Sequence, residues 1–323
     1  MSSATEEYPD GTTIGIYYTV IRQLGTGASC IVYLVIDNRS QSMMAMKVFH
    51  RENNLGRDVE TGIMESLVDV QGVIKYTEKI DFDNGMCGFI MPYYKNGTLD
   101  DYVKDLSDRG LNFDEGYFVN CLHILSNIVF DYVRRGVCQC DLKPQNILVT
   151  DDDMPLIADF GIAKRLPSGS FTSKTPHEVY TTWYKSPNNA DCRTKYSYSL
   201  ITEMWALLIL ILSLASITQN ARDRKYYYRF PTCLMFRVFR WSDYDLPSSQ
   251  IQIDEAVDSV FKQKKYSTFF KKWLNVNKTK SLISSFDEAS FEAYIREFRS
   301  DIQAVLGISG DAGRAGRAGC ADH

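Results

Sequence analysis

The chain has 323 residues, 45% hydrophobic and 24% charged, the balance of an ordinary globular protein long enough to bury a substantial core. A net charge of −4 leaves no basic excess, so the composition calls for neither nucleic acid nor a membrane surface as partner. The eight cysteines are scattered, and the closest pair, Cys138 and Cys140, is too tight for zinc or redox spacing. They read as reduced thiols of a cytoplasmic or nuclear protein. The first residues are polar and acidic, unlike a signal or transit peptide.

In chain order, the spans 17–24, 31–37 and 43–49 are short, rich in β-branched and aromatic residues, and separated by turn-forming stretches, which predicts three strands. A helix is expected over 57–70, with Ile63, Met64 and Leu67 on one face and Glu60 near its start. Two more strands, 73–82 and 86–91, meet at Asn84-Gly85, a dipeptide suited to a hairpin turn. After Gly97 the apolar period becomes helical. Tyr117 to Arg134 carries a broad stripe, and further helices are expected at 199–217, 253–264, 266–275 and 287–306. The run Met204 to Ile217 is apolar on all sides, but at roughly 14 residues it falls below the ~18–20 needed to span a bilayer, so it reads as a buried helix. The Gly/Ala/Arg-rich end, 307–323, reads as a disordered tail or an artefact of translation or expression. Sheet first and helices afterwards predict an α+β molecule of two lobes: an arm over 1–14, a small β-rich lobe over 15–95 and a mainly helical lobe over 96–306.

Four groups of residues carry chemistry. Gly25 and Gly27, followed by Cys30 and Val32, lie between two predicted strands, where backbone N–H groups can approach phosphate oxygens without a Cβ in the way. A strand follows them rather than a helix, which excludes a dinucleotide-binding turn. Lys47 ends Met44-Ala45-Met46-Lys47 in an apolar run, where a lone ammonium is costly without an acidic partner. Glu60 is the preferred partner and Glu65 the alternative. Finally, Asp141-Leu142-Lys143-Pro144-Gln145-Asn146 precedes Asp159-Phe160-Gly161, the two aspartates standing 18 positions apart with apolar strand-like runs between them.

Together these resemble the glycine-rich loop, strand lysine, catalytic loop and Asp-Phe-Gly motif of the protein kinase family, clearly over residues 15 to about 217. The resemblance implies a bilobal kinase fold and transfer of the γ-phosphoryl group of ATP, with Mg²⁺, to a protein hydroxyl. It implies that Gly25, Gly27, Val32, Ala45, Lys47, Met91, Pro92 and Tyr94 bind the nucleotide, with Met91 as gatekeeper behind the adenine. Asn146 and Asp159 would hold the metal. Asp141, Lys143, Lys47, Glu60 and Thr181 would act in catalysis. Lys143 after the catalytic Asp, and Thr181 before Trp183-Tyr184, resemble Ser/Thr kinases, so the expected partner is a protein substrate with a Ser or Thr acceptor, with a regulatory protein also possible.

The sequence also departs from the family. The motif expected as His-Arg-Asp reads Gln139-Cys140-Asp141, which removes the arginine that receives an activation-loop phosphate. The motif expected as Ala-Pro-Glu reads Ser186-Pro187-Asn188, and Glu203 stands for the aspartate that opens the central helix. An active Ser/Thr kinase is the first reading and an ATP-binding pseudokinase scaffold the alternative. The presence of Lys47, Glu60, Asp141, Asn146 and Asp159 favours the first.

Overall fold

The structure is a computed structural model, which describes residues 8–82, 84–110, 113–177, 179–181, 184–190, 195–219, 246–284 and 286–308. Trp183, the stretch 220–245 and most of the expected tail lie outside them.

The N-terminal region is a six-stranded antiparallel sheet of β1 (Thr13–Ile14), β2 (Tyr18–Thr26), β3 (Cys30–Asp37), β4 (Ser42–Phe49), β5 (Glu78–Asp81) and β6 (Cys87–Pro92), in the order β1-β2-β3-β4-β6-β5. Successive side chains of a strand face opposite ways, so the apolar pattern decides which residues share a face. Ile31, Tyr33 and Val35 of β3, Met46 and Val48 of β4, and Ile90 of β6 gather in a small core on one face. The opposite parity sends Val32, Ala45, Lys47, Phe89 and Met91 to the other face, toward the second lobe. β4 and β6 approach closely at Gly88, where a Cβ would run into the Lys47 carbonyl oxygen.

Helix α1 (Asn54–Ser66) joins β4 to β5 and buries Glu60, Ile63 and Met64, with Leu67 just beyond its end, against the sheet and the larger core. The expected strand at 73–82 is shortened to β5. Val73 instead bridges Ile157, and the Ile74 N–H donates to the Ile157 carbonyl, so this apolar stretch ties the sheet region to the helical one. At the β5–β6 hairpin, among the described residues, only Gly85 takes a positive φ, +79°.

The helical region contains α2 (Leu99–Asp108), α3 (Glu115–Arg134), α4 (Pro187–Ala190), α5 (Leu200–Gln219), α6 (Leu246–Val260), α7 (Lys264–Trp273), α8 (Val276–Ser284) and α9 (Glu288–Leu306). Short strands form three pairs: β7 (Val137–Cys138) with β10 (Lys164–Arg165), β8 (Ile147–Val149) with β9 (Pro155–Ile157), and β11 (Thr172–Thr175) with β12 (Tyr196–Ser199). Helix α5 is buried along residues 200–216, the arrangement its all-round apolar sequence requires. Among the described residues no helix is long and apolar enough to cross a membrane.

Helix α3 carries His123, whose Nδ1 is buried with no hydrogen-bond partner among the described residues. Burial, with Arg299 adding, holds its imidazole below the ordinary value. The unfolded chain therefore binds this proton first as the pH falls. The stability from neutral His123 is present above about pH 6.5 and lost as the pH drops toward the folded value. Thermal unfolding is expected to show Tm falling from pH 7 to 5.5, with a shallower fall in His123→Gln. Identical slopes for both proteins would contradict this.

Candidate active site

A cleft with a cavity volume of about 980 Å³ lies between the sheet and the helical region. All eight residues expected to bind the nucleotide line it, together with Glu60, Lys143, Asn146 and Asp159. The glycine-containing turn between β2 and β3 forms its roof and the β6 end from Met91 its back. Across the sheet, Val32 pairs with Lys47 and Ala45 with Met91, which sets the apolar walls and the lysine side by side.

Lys47 is buried, and its Nζ lies 2.8 Å from both Glu60 carboxylate oxygens and 2.8 Å from Asp159 Oδ1. Burial alone pushes the Lys47 ammonium down, but Glu60 and Asp159 override it and hold it above its ordinary value. Burial also raises the Glu60 carboxyl, with Lys47 and the Phe160 N–H, 3.2 Å from Oε1, pulling it back. Asp159 feels the same burial penalty, yet Lys47 lowers its carboxyl overall, so it stays ionised. Its side chain remains 47% exposed. Glu65 is exposed and pairs instead with Lys79 and Tyr76 on the outer side of α1.

Below this pair, Asp141 Oδ1 accepts from the Thr181 hydroxyl at 2.6 Å and the Thr181 N–H at 3.1 Å. Asp141 Oδ2 accepts from Lys143 Nζ at 2.6 Å and Asn146 Nδ2 at 3.0 Å. The Pro144–Asn146 stretch forms a short 3₁₀ turn that brings Asn146 back beneath Asp141, where it also donates to the Asp141 carbonyl. Gln139 joins the two groups: its Oε1 accepts from the Asp141 N–H at 2.7 Å, and its Nε2 donates to the Asp159 carbonyl at 2.8 Å. The neutral amide thus holds the backbones of both aspartates in fixed relation.

Glu203, at the start of α5, is fully buried beneath the Gln139-Cys140 backbone and takes its two N–H groups at 3.2 and 3.0 Å. It also accepts from the hydroxyls of Tyr132 and Tyr180. Neither tyrosine stands out in the sequence, where Tyr132 belongs to the apolar stripe of α3. The available signal was physical: a carboxylate inside an apolar helix and hydroxyls inside apolar runs each need a partner.

A family model described as "Protein kinase domain" matches residues 18–286. The chain belongs to the protein kinase family. Three curated relatives fit this kinase. A probable serine/threonine-protein kinase of Clostridium acetobutylicum is 26% identical over 211 residues, covering 59% of this chain and 30% of the relative. Cyclin-dependent kinase 2 of Caenorhabditis elegans is 29% identical over 61% of this chain and 53% of the relative. Cell division control protein 2 homolog 3 of Trypanosoma brucei brucei is 28% identical over 59% and 60%. The alignments thus span between 30% and 60% of these relatives. The sheet region and helical body form the bilobal fold of the family.

Proposed function

We propose that this kinase is catalytically active and transfers the γ-phosphoryl group of ATP to a Ser or Thr hydroxyl of a protein, in the cytoplasm or nucleus. The observation that carries this reading is that Lys47, Glu60 and Asp159 are joined in one cluster lining the cleft, while Asp141, Lys143, Asn146 and Thr181 are joined in a second that reaches the cleft through Lys143 and Asn146. In this reading residues 15–95 and 96–306 are the two kinase lobes.

The donor set fits a divalent cation bound with the triphosphate. Asp159 is ionised and partly exposed, and Asn146, with Nδ2 committed to Asp141, offers its amide oxygen. Such a cation supplies charge neutralisation at the phosphates. Lys47, kept protonated by Glu60, holds phosphate oxygens. The roof glycines let backbone N–H groups close over them, and the apolar wall of Val32, Ala45 and Met91 receives the base. Pro92 lacks an N–H, so adenine takes the Pro92 carbonyl and the Tyr94 N–H. Asp141 orients the acceptor hydroxyl and takes its proton. Lys143 steadies the transferred phosphate, and Thr181 fixes the Asp141 carboxylate.

A second reading, a nucleotide-binding scaffold, has one observation in its favour. Ser186 Oγ and Asn188 Oδ1, in the altered Ala-Pro-Glu motif, are buried with no hydrogen-bond partner among the described residues. The substrate side is therefore less firmly tied than the nucleotide side.

Two measurements test the proposal. ATP is expected to raise Tm far more with Mg²⁺ than without it, because one lysine cannot offset a triphosphate. Equal shifts would remove Asp159 from metal binding. Labelled ATP is expected to phosphorylate a generic Ser/Thr substrate, and Asp159→Asn to abolish the transfer. Mg²⁺-dependent binding without any transfer would select the scaffold.

A further inference from the structure

Two dipeptides far apart in sequence, Cys140-Asp141 and Tyr180-Thr181, lie side by side below the cleft. In each the first residue has a left-handed backbone, with φ of +65° at Cys140 and +66° at Tyr180. Neither is glycine, and for a bulky aromatic this conformation is an outlier that persists only where its surroundings hold it. Two parallel ties join the dipeptides. The Tyr180 N–H donates to the Cys140 carbonyl at 2.7 Å, and the Thr181 N–H donates to Asp141 Oδ1 at 3.1 Å.

Glu203 clamps both from beneath with the same oxygen. Its Oε1 accepts from the Cys140 N–H at 3.0 Å and from the Tyr180 hydroxyl at 2.7 Å. The Tyr180 hydroxyl also lies 2.7 Å from Thr202 Oγ1, the neighbouring side chain of α5. Tyr180 and Cys140 are both buried, and burial keeps the Cys140 thiol neutral. The segment before Tyr180 is held too, through pairing of β11 with β12, which leads directly into α5.

We infer that Tyr180 is a positioning residue. Its hydroxyl, anchored on Glu203 and Thr202, holds the left-handed turn that sets Thr181 on Asp141, so the segment reaches its working geometry without a phosphate. The inference rests on the reading of Asp141 as the catalytic group. It goes beyond the loss of an arginine at Cys140 by naming what replaces that anchor: a neutral hydroxyl on a buried carboxylate, built into the central helix.

The test compares Tyr180→Phe with Tyr132→Phe. Each removes one buried tyrosine hydroxyl from Glu203, but Tyr132 is on α3 and touches Glu203 Oε2, not the oxygen that Tyr180 shares with the Cys140 N–H. A merely structural hydroxyl makes the two variants alike. The inference expects Tyr180→Phe to lower kcat at least tenfold with KM for ATP within about twofold, and Tyr132→Phe to keep kcat within about threefold. Phosphatase treatment of the wild type is expected to leave kcat within twofold. Hydrogen exchange at the Tyr180 and Thr181 amides is expected to speed up at least tenfold in Tyr180→Phe only. Wild-type kcat in Tyr180→Phe, equal losses in both variants, or a tenfold loss on dephosphorylation restored by rephosphorylating the segment would each overturn the inference. A wild type that transfers no phosphate sinks the kinase reading alone. The exchange arm then decides the lock, with acceleration confined to Tyr180→Phe supporting it and equal protection in both variants overturning it.

Discussion

Asp141→Asn is expected to leave ATP affinity within a few-fold while cutting turnover by roughly 10²–10⁴, the scale of a positioned acid–base group. The asymmetry follows from the geometry. Lys47, Glu60 and Asp159 hold one another without Asp141, so the phosphate side is intact in the variant. The carboxamide is nearly isosteric but does not take the acceptor proton. Its NH₂ also faces donors, either Lys143 and Asn146 or Thr181, where the carboxylate accepted from all three. Thr181→Ala is expected to cost less, since it removes one orienting bond and leaves the carboxylate in place. Single-turnover transfer alongside nucleotide titration separates the two effects. Near-full activity in Asp141→Asn would dismantle the assignment of the whole catalytic loop.

Glu203→Ala is expected to be the most destabilising single substitution near the site. Four donors converge on this carboxylate: two backbone N–H groups and two tyrosine hydroxyls. Burial pushes its carboxyl above the ordinary value, and those four bonds pull it back. Alanine strands the two N–H groups and the Tyr132 hydroxyl in a dry interior, at about 1–3 kcal/mol each before any relaxation, while the Tyr180 hydroxyl keeps Thr202. Even after water or side-chain rearrangement recovers part of that, a net loss of about 3–5 kcal/mol is expected. Domains of this kind carry only about 5–15 kcal/mol in total, so the variant is expected to sit close to the edge of folding. Urea unfolding measures the difference, and a loss under about 1 kcal/mol would mean that the four bonds contribute little.

Most of the site was legible because its residues break local rules. A lysine in an apolar strand demands an anion, and the inward face set by Ile63, Met64 and Leu67 selects Glu60 over Glu65 as the group that meets it. Local patterns failed where a distant partner decides. Val73 and Ile74 are β-formers by type, yet their backbone bridges to Ile157 and they are no part of β5. Helix α2 escaped notice because aspartates dominate it. Its start is fixed by reciprocal hydrogen bonds between Thr98 and Asp101, a capping box with Asp in place of the usual Glu. Helix α8 is polar and rich in weak helix formers, and packing rather than propensity holds it. The lock at Tyr180 was invisible for a different reason. No sequence pattern marks a left-handed tyrosine, and its meaning depends on Cys140 lying alongside it in the fold.

The odd–even order of β3, β4 and β6 has a consequence for how such a lobe can change over generations. The small core on the outer face and the wall of the cleft are read from alternate letters of the same three strands. Adding or deleting one residue within β4 would exchange them, turning Lys47 into the outer core and Met46 or Val48 into the cleft. Unless a bulge absorbed the change, as the register shifts between β2 and β3 do, both the packing and the charge cluster would fail in one step. Length variation is therefore expected at the turns between strands, and substitution within β4. Outer-core positions can trade Met, Val and Ile at a modest packing cost without altering the face that lines the cleft.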